Sequence, residues 1–168
     1  MASFGAGSLS HVAGELFKMA AGVKAVHVPY RGSAPMLSDL IGGQVQSAFD
    51  NLPASLEHIK AGRLRPLAVA TATRWEVLPT VPTMAEFVPG FEASATTGMG
   101  APAGTPLDII NRLNSEINAG VSDPRMRGRI AELGAAPQIG SPNDYAKFID
   151  SETDKWGKVV RAANIKAE

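Results

Sequence analysis

The sequence contains no cysteine, few aromatic residues (6%) and no net charge, with 16 basic residues balanced by 16 acidic ones. The missing thiols exclude disulfides, thiolate metal sites and cysteine nucleophiles together, and they leave the redox compartment undetermined. Balanced charge argues against a nucleic-acid surface, which needs a basic stripe to neutralise phosphates. No window qualifies as a membrane span. The N-terminus lacks the basic region and apolar run of a signal peptide, so the chain as written is expected to stay where it is made, in the cytoplasm. A chain beginning inside a longer protein would look the same. What is present is an ordinary globular composition, 45% apolar and 19% charged over 168 residues. That length suits one domain with a core, or a small domain with an appendage.

The stretch SFGAGSLSHVAGELF, Ser3 to Phe17, sets glycines and small hydroxylated residues directly ahead of a helical pattern. Gly5 and Gly7 permit positive φ and close backbone approach, and Ser8 or Ser10 is placed to cap the first turn. Leu9, Val12, Ala13, Leu16, Phe17 and Ala20 form one apolar stripe, and Gly22 supplies the stop. Free N–H groups at such a helix start attract anions, whereas the plainer reading is a loop that ends in a cap.

Three short strands are expected next, in KAVHVPY (24–30), QVQSAFDNLP (44–53) and RLRPLAVAT (63–71), where Pro66 suggests an edge or an entry position. Helices separate them. One follows Gly32 and Ser33, with Pro35 in its first turn and Gly42-Gly43 as its stop, and a shorter one starts at Pro53. Such alternation implies βαβ crossovers and a mostly parallel sheet. Ligands of these sheets bind where strand ends meet helix starts. The polar loops at Gly5–Ser10, Tyr30–Ser33 and Asp50-Asn51 all occupy that kind of position.

The second half reads differently. Thr83 and Glu86 form a capping box. Thr105, Pro106 and Asp108 open a long helix as N-cap, N1 and N3, with Ile109, Ile110, Leu113 and Ile117 behind them. Asp123-Pro124 opens another helix, which Gly134 closes. Ser141-Pro142 opens the last, whose apolar face carries Tyr145, Phe148, Ile149, Trp156, Val159 and Val160.

Several chemistries are weighed against these residues. Gly5-x-Gly7-x-x-Ser10 falls short of a dinucleotide fingerprint, because the third glycine, a preceding strand and an acidic end to the second strand are missing. Ser8 or Ser10 with His11 and Asp50 would compose a hydrolase triad, but no G-x-S-x-G elbow supports it. His11 and Glu15, one helical turn apart, make half of a metal site with no third ligand spaced to complete it. His11 lies opposite the apolar stripe and reads as solvated or loop-bonded, and His27 as a packed core residue. Asp50-Asn51 reads either as an Asx turn or as a ligand contact. No cofactor and no metal are implied.

The chain resembles the substrate-binding proteins of tripartite tricarboxylate transporters, the Bug-type extracytoplasmic solute receptors. The resemblance runs in order through SFGAGSLSHVAGELFKMAAGV, HVPYRGSAPMLSDLIGGQV, FDNLPASLEHIKAGRLRPLAVAT, LPTVPTMAEF, PGFE, GMGAPAGTP, RLNSEI, LGAAPQIGSP and KWGKVVRAANI. It implies an α/β fold of periplasmic-binding-protein type (type II), with a mostly parallel sheet and a C-terminal helical segment. Residues 1–97 would be the second ligand-binding lobe, and residues 98–168 a crossover strand and helices of the first lobe. The N-terminal half of the family fold would then be absent.

The function so implied is non-catalytic capture of a small di- or tricarboxylate, in the periplasm, for membrane transporter subunits. The alternatives are a small Ser/His hydrolase and a free-standing interaction or sensory module. Carried over by position, Ser3, Gly5, Gly7, Ser8, Tyr30, Arg31, Gly32, Asp50 and Asn51 would line the ligand cleft. Phe4 departs from the family pattern, which usually has a small residue there. Helices deprived of their sheet would expose apolar faces, so a homo-oligomer is expected.

Overall fold

The structure is a computed structural model that describes residues 1–166. They form two compact units, Met1–Ala95 together with the chain from Trp156 onward, and Thr96–Lys155. The end of the last helix groups with the first unit, not with the second.

The first unit is α/β and its strand pairing is parallel. Strand β1 (Ala2–Ser3) pairs in parallel with β2 (Val28–Pro29), Ala2 opposite Val28 and Ser3 opposite Pro29. On its other side Ala2 bridges Ala48, also in parallel, and its N–H donates to the Ser47 carbonyl at 2.7 Å. A strand therefore does precede the glycine-serine loop. It is two residues long, too short for any periodicity to announce it. The expected strands are correspondingly reduced: 24–30 contributes only Val28–Pro29, 44–53 only the bridge at Ala48, and 63–71 only a bridge from Val69 to Thr83. In the last of these, Pro66 has no N–H to give a ladder and Leu67 is 67% exposed.

Helix α1 (Leu9–Ala21) starts on Ser8, whose side chain accepts from the His11 N–H, and ends at Gly22 with φ 65°, a left-handed cap whose N–H returns to the Lys18 carbonyl. Its buried face differs from the expected stripe. Ser10, Val12, Ala13 and Gly14 are buried, while Ala20 is exposed. Small residues let α1 approach closely, and Gly14 leaves the space that the Met1 thioether fills.

Helix α2 (Ser33–Ile41) follows Gly32 and stops at Gly42, and α3 (Leu52–Lys60) starts from Asn51 with Pro53 in its first turn. Met36, wholly buried, joins Ala2, Leu37 and Val45 in one apolar cluster. Ala13, Phe91 and Ala93 form a second, with Phe17, Phe49, Met84 and Trp156 packed against it. Burying each large side chain contributes ~1.5–3 kcal/mol. Trp156 thus packs against the first unit's cluster and Val159 is buried, contrary to the expectation that this face lies bare. Beside that cluster, the Thr83–Glu86 capping box forms around a single 3-10 turn, Met84–Glu86. Arg74 grips Glu86 with two bonds, at 2.7 and 2.9 Å, which hold the Glu86 carboxyl down at about 2.

The second unit is helical: α4 (Leu107–Ser122), α5 (Pro124–Glu132) and the first part of α6 (Pro142–Ala162). The expected Thr105 cap of α4 is corrected. Pro106 holds the N-cap position, and the Thr105 hydroxyl donates to the Pro102 carbonyl at 2.8 Å. Asp123 does cap α5, accepting from the N–H groups of Arg125 and Met126. Asn114 and Asn118 both donate to the Gly140 carbonyl ahead of α6. The Tyr145 ring lies over Gly98, where a Cβ would overlap it.

Candidate functional site

Three chain segments end in parallel at one edge of the first unit, and each leads into a helix start. They are β1 into the loop before α1, β2 into the loop before α2, and the Ala48 segment into Asp50-Asn51 before α3. The first N–H groups of each helix have no partner within it, so this edge carries three sets of donors and three positive dipole ends.

Hydrogen bonds fix the loops to one another. Tyr30 N–H donates to the Ser3 carbonyl at 2.9 Å and Gly32 N–H to the Phe4 carbonyl at 3.0 Å, tying the second loop to the first. Gly32 has φ 109°, a conformation that admits glycine and strains other residues. Ser33 Oγ donates to Asp50 Oδ1 at 2.7 Å, tying the second loop to the third. Ser10 Oγ donates to the Phe49 carbonyl at 2.5 Å and accepts from Phe4 N–H at 3.3 Å, tying the third to the first.

Tracing each residue shows that few of the expected side chains face outward. Ser3 is 1% exposed, and its hydroxyl meets His27 Nε2 at 2.7 Å and the Gly5 carbonyl at 3.1 Å. Ser8 donates to the Gly5 carbonyl at 2.6 Å and caps α1. The Tyr30 phenol is committed to Asp39 Oδ2 at 2.7 Å, which raises its pKa. Gly5, Gly7 and Gly32 offer backbone only. Arg31 is exposed and, among the described residues, its guanidinium meets no carboxylate. Asn51 is exposed at the N-cap of α3 without a side-chain cap bond. Asp50 Oδ2 is buried without a hydrogen-bond partner among the described residues. Burial raises the Asp50 pKa, against smaller opposing effects from Ser33 and the Asn51 N–H.

The residues weighed for a hydrolase are not assembled. Ser8 and Ser10 bond to carbonyls, and His11 Nδ1 accepts from Gly7 N–H at 3.0 Å. A serine and a histidine do meet, but they are Ser3 and His27, behind the loop. Glu15 is taken up by Lys18 at 2.7 Å and lies 3.7 Å from His11 Nε2. Among the described residues no three metal-ligating groups converge. His27, expected as a packed core residue, is half-buried and stacks face to face on His11, centroids 3.7 Å apart. Nothing in the local sequence marks that pairing. Ser10 and Ser33, by contrast, carry a visible signal as hydroxyls at helix starts after strand ends.

Comparison with known proteins fits this geometry. The family model "Tripartite tricarboxylate transporter family receptor" matches residues 1–165. The chain belongs to that receptor family. BugT of Bordetella pertussis is 40% identical over 161 residues, covering 95% of this chain and 49% of BugT. The structure of R. palustris Rpa4515 with adipate is 45% identical, with TM-score 0.86, covering 95% of this chain and 54% of that one. MatC from Rhodopseudomonas palustris with bound malate is 30% identical, with TM-score 0.80, covering 95% and 56%. The chain spans about half the length of each of these three relatives. Its fold is accordingly that of the periplasmic binding proteins, and its family is one of solute receptors, not of enzymes.

Proposed function

We propose that the Ser3–Ser8, Tyr30–Gly32 and Asp50-Asn51 loops receive one carboxylate end of a small di- or tricarboxylic acid, as part of a periplasmic receptor serving a tripartite transporter. The observation that carries this reading is the convergence of three helix starts and the exposed Arg31 on one sheet edge. Backbone N–H groups and a guanidinium are the donors an oxyanion needs. Adipate in Rpa4515 and malate in MatC set the ligand class.

The three loops form one face, and a dicarboxylate held by one face keeps most of its water, so the isolated chain binds it weakly, with Kd on the order of millimolar. Titrating adipate, malate and the neutral adipamide into the chain while following backbone amides tests this. Shifts at Gly5–Ser8, Gly32–Ala34 and Asn51 with both acids, absent with the amide, are expected. Shifts confined to other segments, or micromolar binding of either acid, refute it. The apolar side of α4, with Ile109, Leu113 and Ile117 at 47%, 40% and 36% exposure, is the surface we expect a second copy to cover. A monomer by light scattering at tens of micromolar removes that part of the proposal.

A further inference from the structure

The stacked pair His11–His27 bonds to both ends of the first loop. His11 Nδ1 accepts the Gly7 N–H at 3.0 Å, and His27 Nε2 meets Ser3 Oγ at 2.7 Å. The two rings are nearly parallel, 7° between planes, with centroids 3.7 Å apart. Gly7 sits at φ 70°, and a Cβ placed on it would meet nothing within 4 Å.

We propose that the His11–His27 stack is a positioning brace that sets the Ser3–Ser8 loop, and that protonation of the stack releases the loop. The chemistry follows from the tautomer. To accept from Gly7, His11 carries its single proton on Nε2, leaving Nδ1 as the lone-pair nitrogen. A second proton can go only to Nδ1, and it removes the acceptor outright. Protonating both rings also places two cations face to face. The charged groups around the pair are Glu15 and Lys18 on α1 and the Met1 ammonium, itself bonded to the Val26 carbonyl at 2.9 Å. Glu15 favours the imidazolium forms, but Lys18 holds its carboxylate at 2.7 Å.

Burial is the largest influence on both histidines and lowers both pKa values below 6.5; for His27 the neighbouring His11 adds to it. The sign follows directly. Both rings are neutral in the folded chain at pH 7, the unfolded chain takes up protons first as pH falls through 6.5, and the brace weakens from there downward.

This inference concerns control of the loop proposed above to take the ligand, but its test uses no ligand, so either can fail without the other. The imidazole signals and the Gly7 amide are followed by NMR in the unliganded chain from about pH 8 to about pH 4.5. The Gly7 amide shift is expected to move with the His11 midpoint, below 6.5, while its exchange protection falls roughly fivefold, the ratio supported by one average hydrogen bond. In His11→Asn, whose Oδ1 stands where Nδ1 was and does not titrate, the Gly7 response is lost, its protection persists at low pH, and the His27 midpoint rises. His11→Leu loses the protection at every pH; should that variant not fold, the titrations of the parent chain and His11→Asn decide alone. A Gly7 amide that stays flat through the imidazole titration, or that moves unchanged in His11→Asn, overturns the proposal.

Discussion

Ser10 is the residue whose loss should be felt most widely for its size. It is 4% exposed in the first turn of α1, and its hydroxyl joins the Phe49 carbonyl just ahead of Asp50 to the Phe4 N–H in the first loop. Ser10→Ala removes both bonds and leaves both backbone groups without a partner. The shorter bond, at 2.5 Å, accounts for most of the effect, since stranding a buried polar group costs about 1–3 kcal/mol and the 3.3 Å contact is worth less. Alanine returns about 0.5 kcal/mol through its higher helix propensity. The net destabilisation expected is about 1–3 kcal/mol, or a fall in Tm on the order of 2–4 °C for each kcal/mol in a chain of this size.

Urea unfolding followed by tryptophan fluorescence reads this directly, because Trp75 and Trp156 both belong to the first unit. The midpoint should fall at constant m-value. Ser38→Ala is the matched control. The Ser38 hydroxyl also bonds a carbonyl, that of Ala34 at 3.1 Å, but in an exposed position, and its loss should stay within about 0.5 kcal/mol. A Ser10→Ala change as small as that of Ser38→Ala would refute the reasoning.

Phe91, 3% exposed and within 6.1 Å of the Phe49 ring centroid and 6.4 Å of Phe17, should cost about 3–5 kcal/mol on truncation to alanine, read by the same fluorescence transition. Gly98→Ala drives a Cβ into the Tyr145 ring and should cost about 1–3 kcal/mol by thermal circular dichroism, much less when made in a Tyr145→Ala background. Equal costs in the two backgrounds would show that the ring is not the obstacle. Asp50→Asn keeps an acceptor for Ser33 and removes a buried charge. Since the Asp50 pKa is raised in the fold, the folded chain binds the extra proton first, and wild-type stability declines as pH rises from 3.8 through the folded value. The variant should therefore gain on the parent in Tm at pH 7 relative to acid pH, and a difference independent of pH would contradict the assignment.

Much of the helical framework was legible because its signals are local. Ser8 and Gly22 bracket α1, Gly42 closes α2, and Thr83 with Glu86 makes its capping box, all through bonds spanning a few residues. The strands were not legible in the same way. β1 is two residues, and it exists because Val28 and Ala48, far along the chain, supply its partners. The fate of the last helix was misread for a related reason. Periodicity showed that Trp156 and Val159 share an apolar face, but only the tertiary fold shows Ala13 and Phe91 waiting for it.

The site divides along the same line. Loop positions followed from strand ends meeting helix starts, and the structure brings those three loops together. Which atoms face outward did not follow, because Ser3, Ser8 and Tyr30 carry groups equally suited to a ligand or to the scaffold. The hydrogen bonds decide for the scaffold in all three. A face whose hydroxyls are turned inward presents backbone N–H groups, and these recognise a carboxylate without regard to the carbon chain behind it. Of the expected side chains, Arg31 and Asn51 are the two left exposed at these loops, and the proposed reading makes them the groups that distinguish one acid from another.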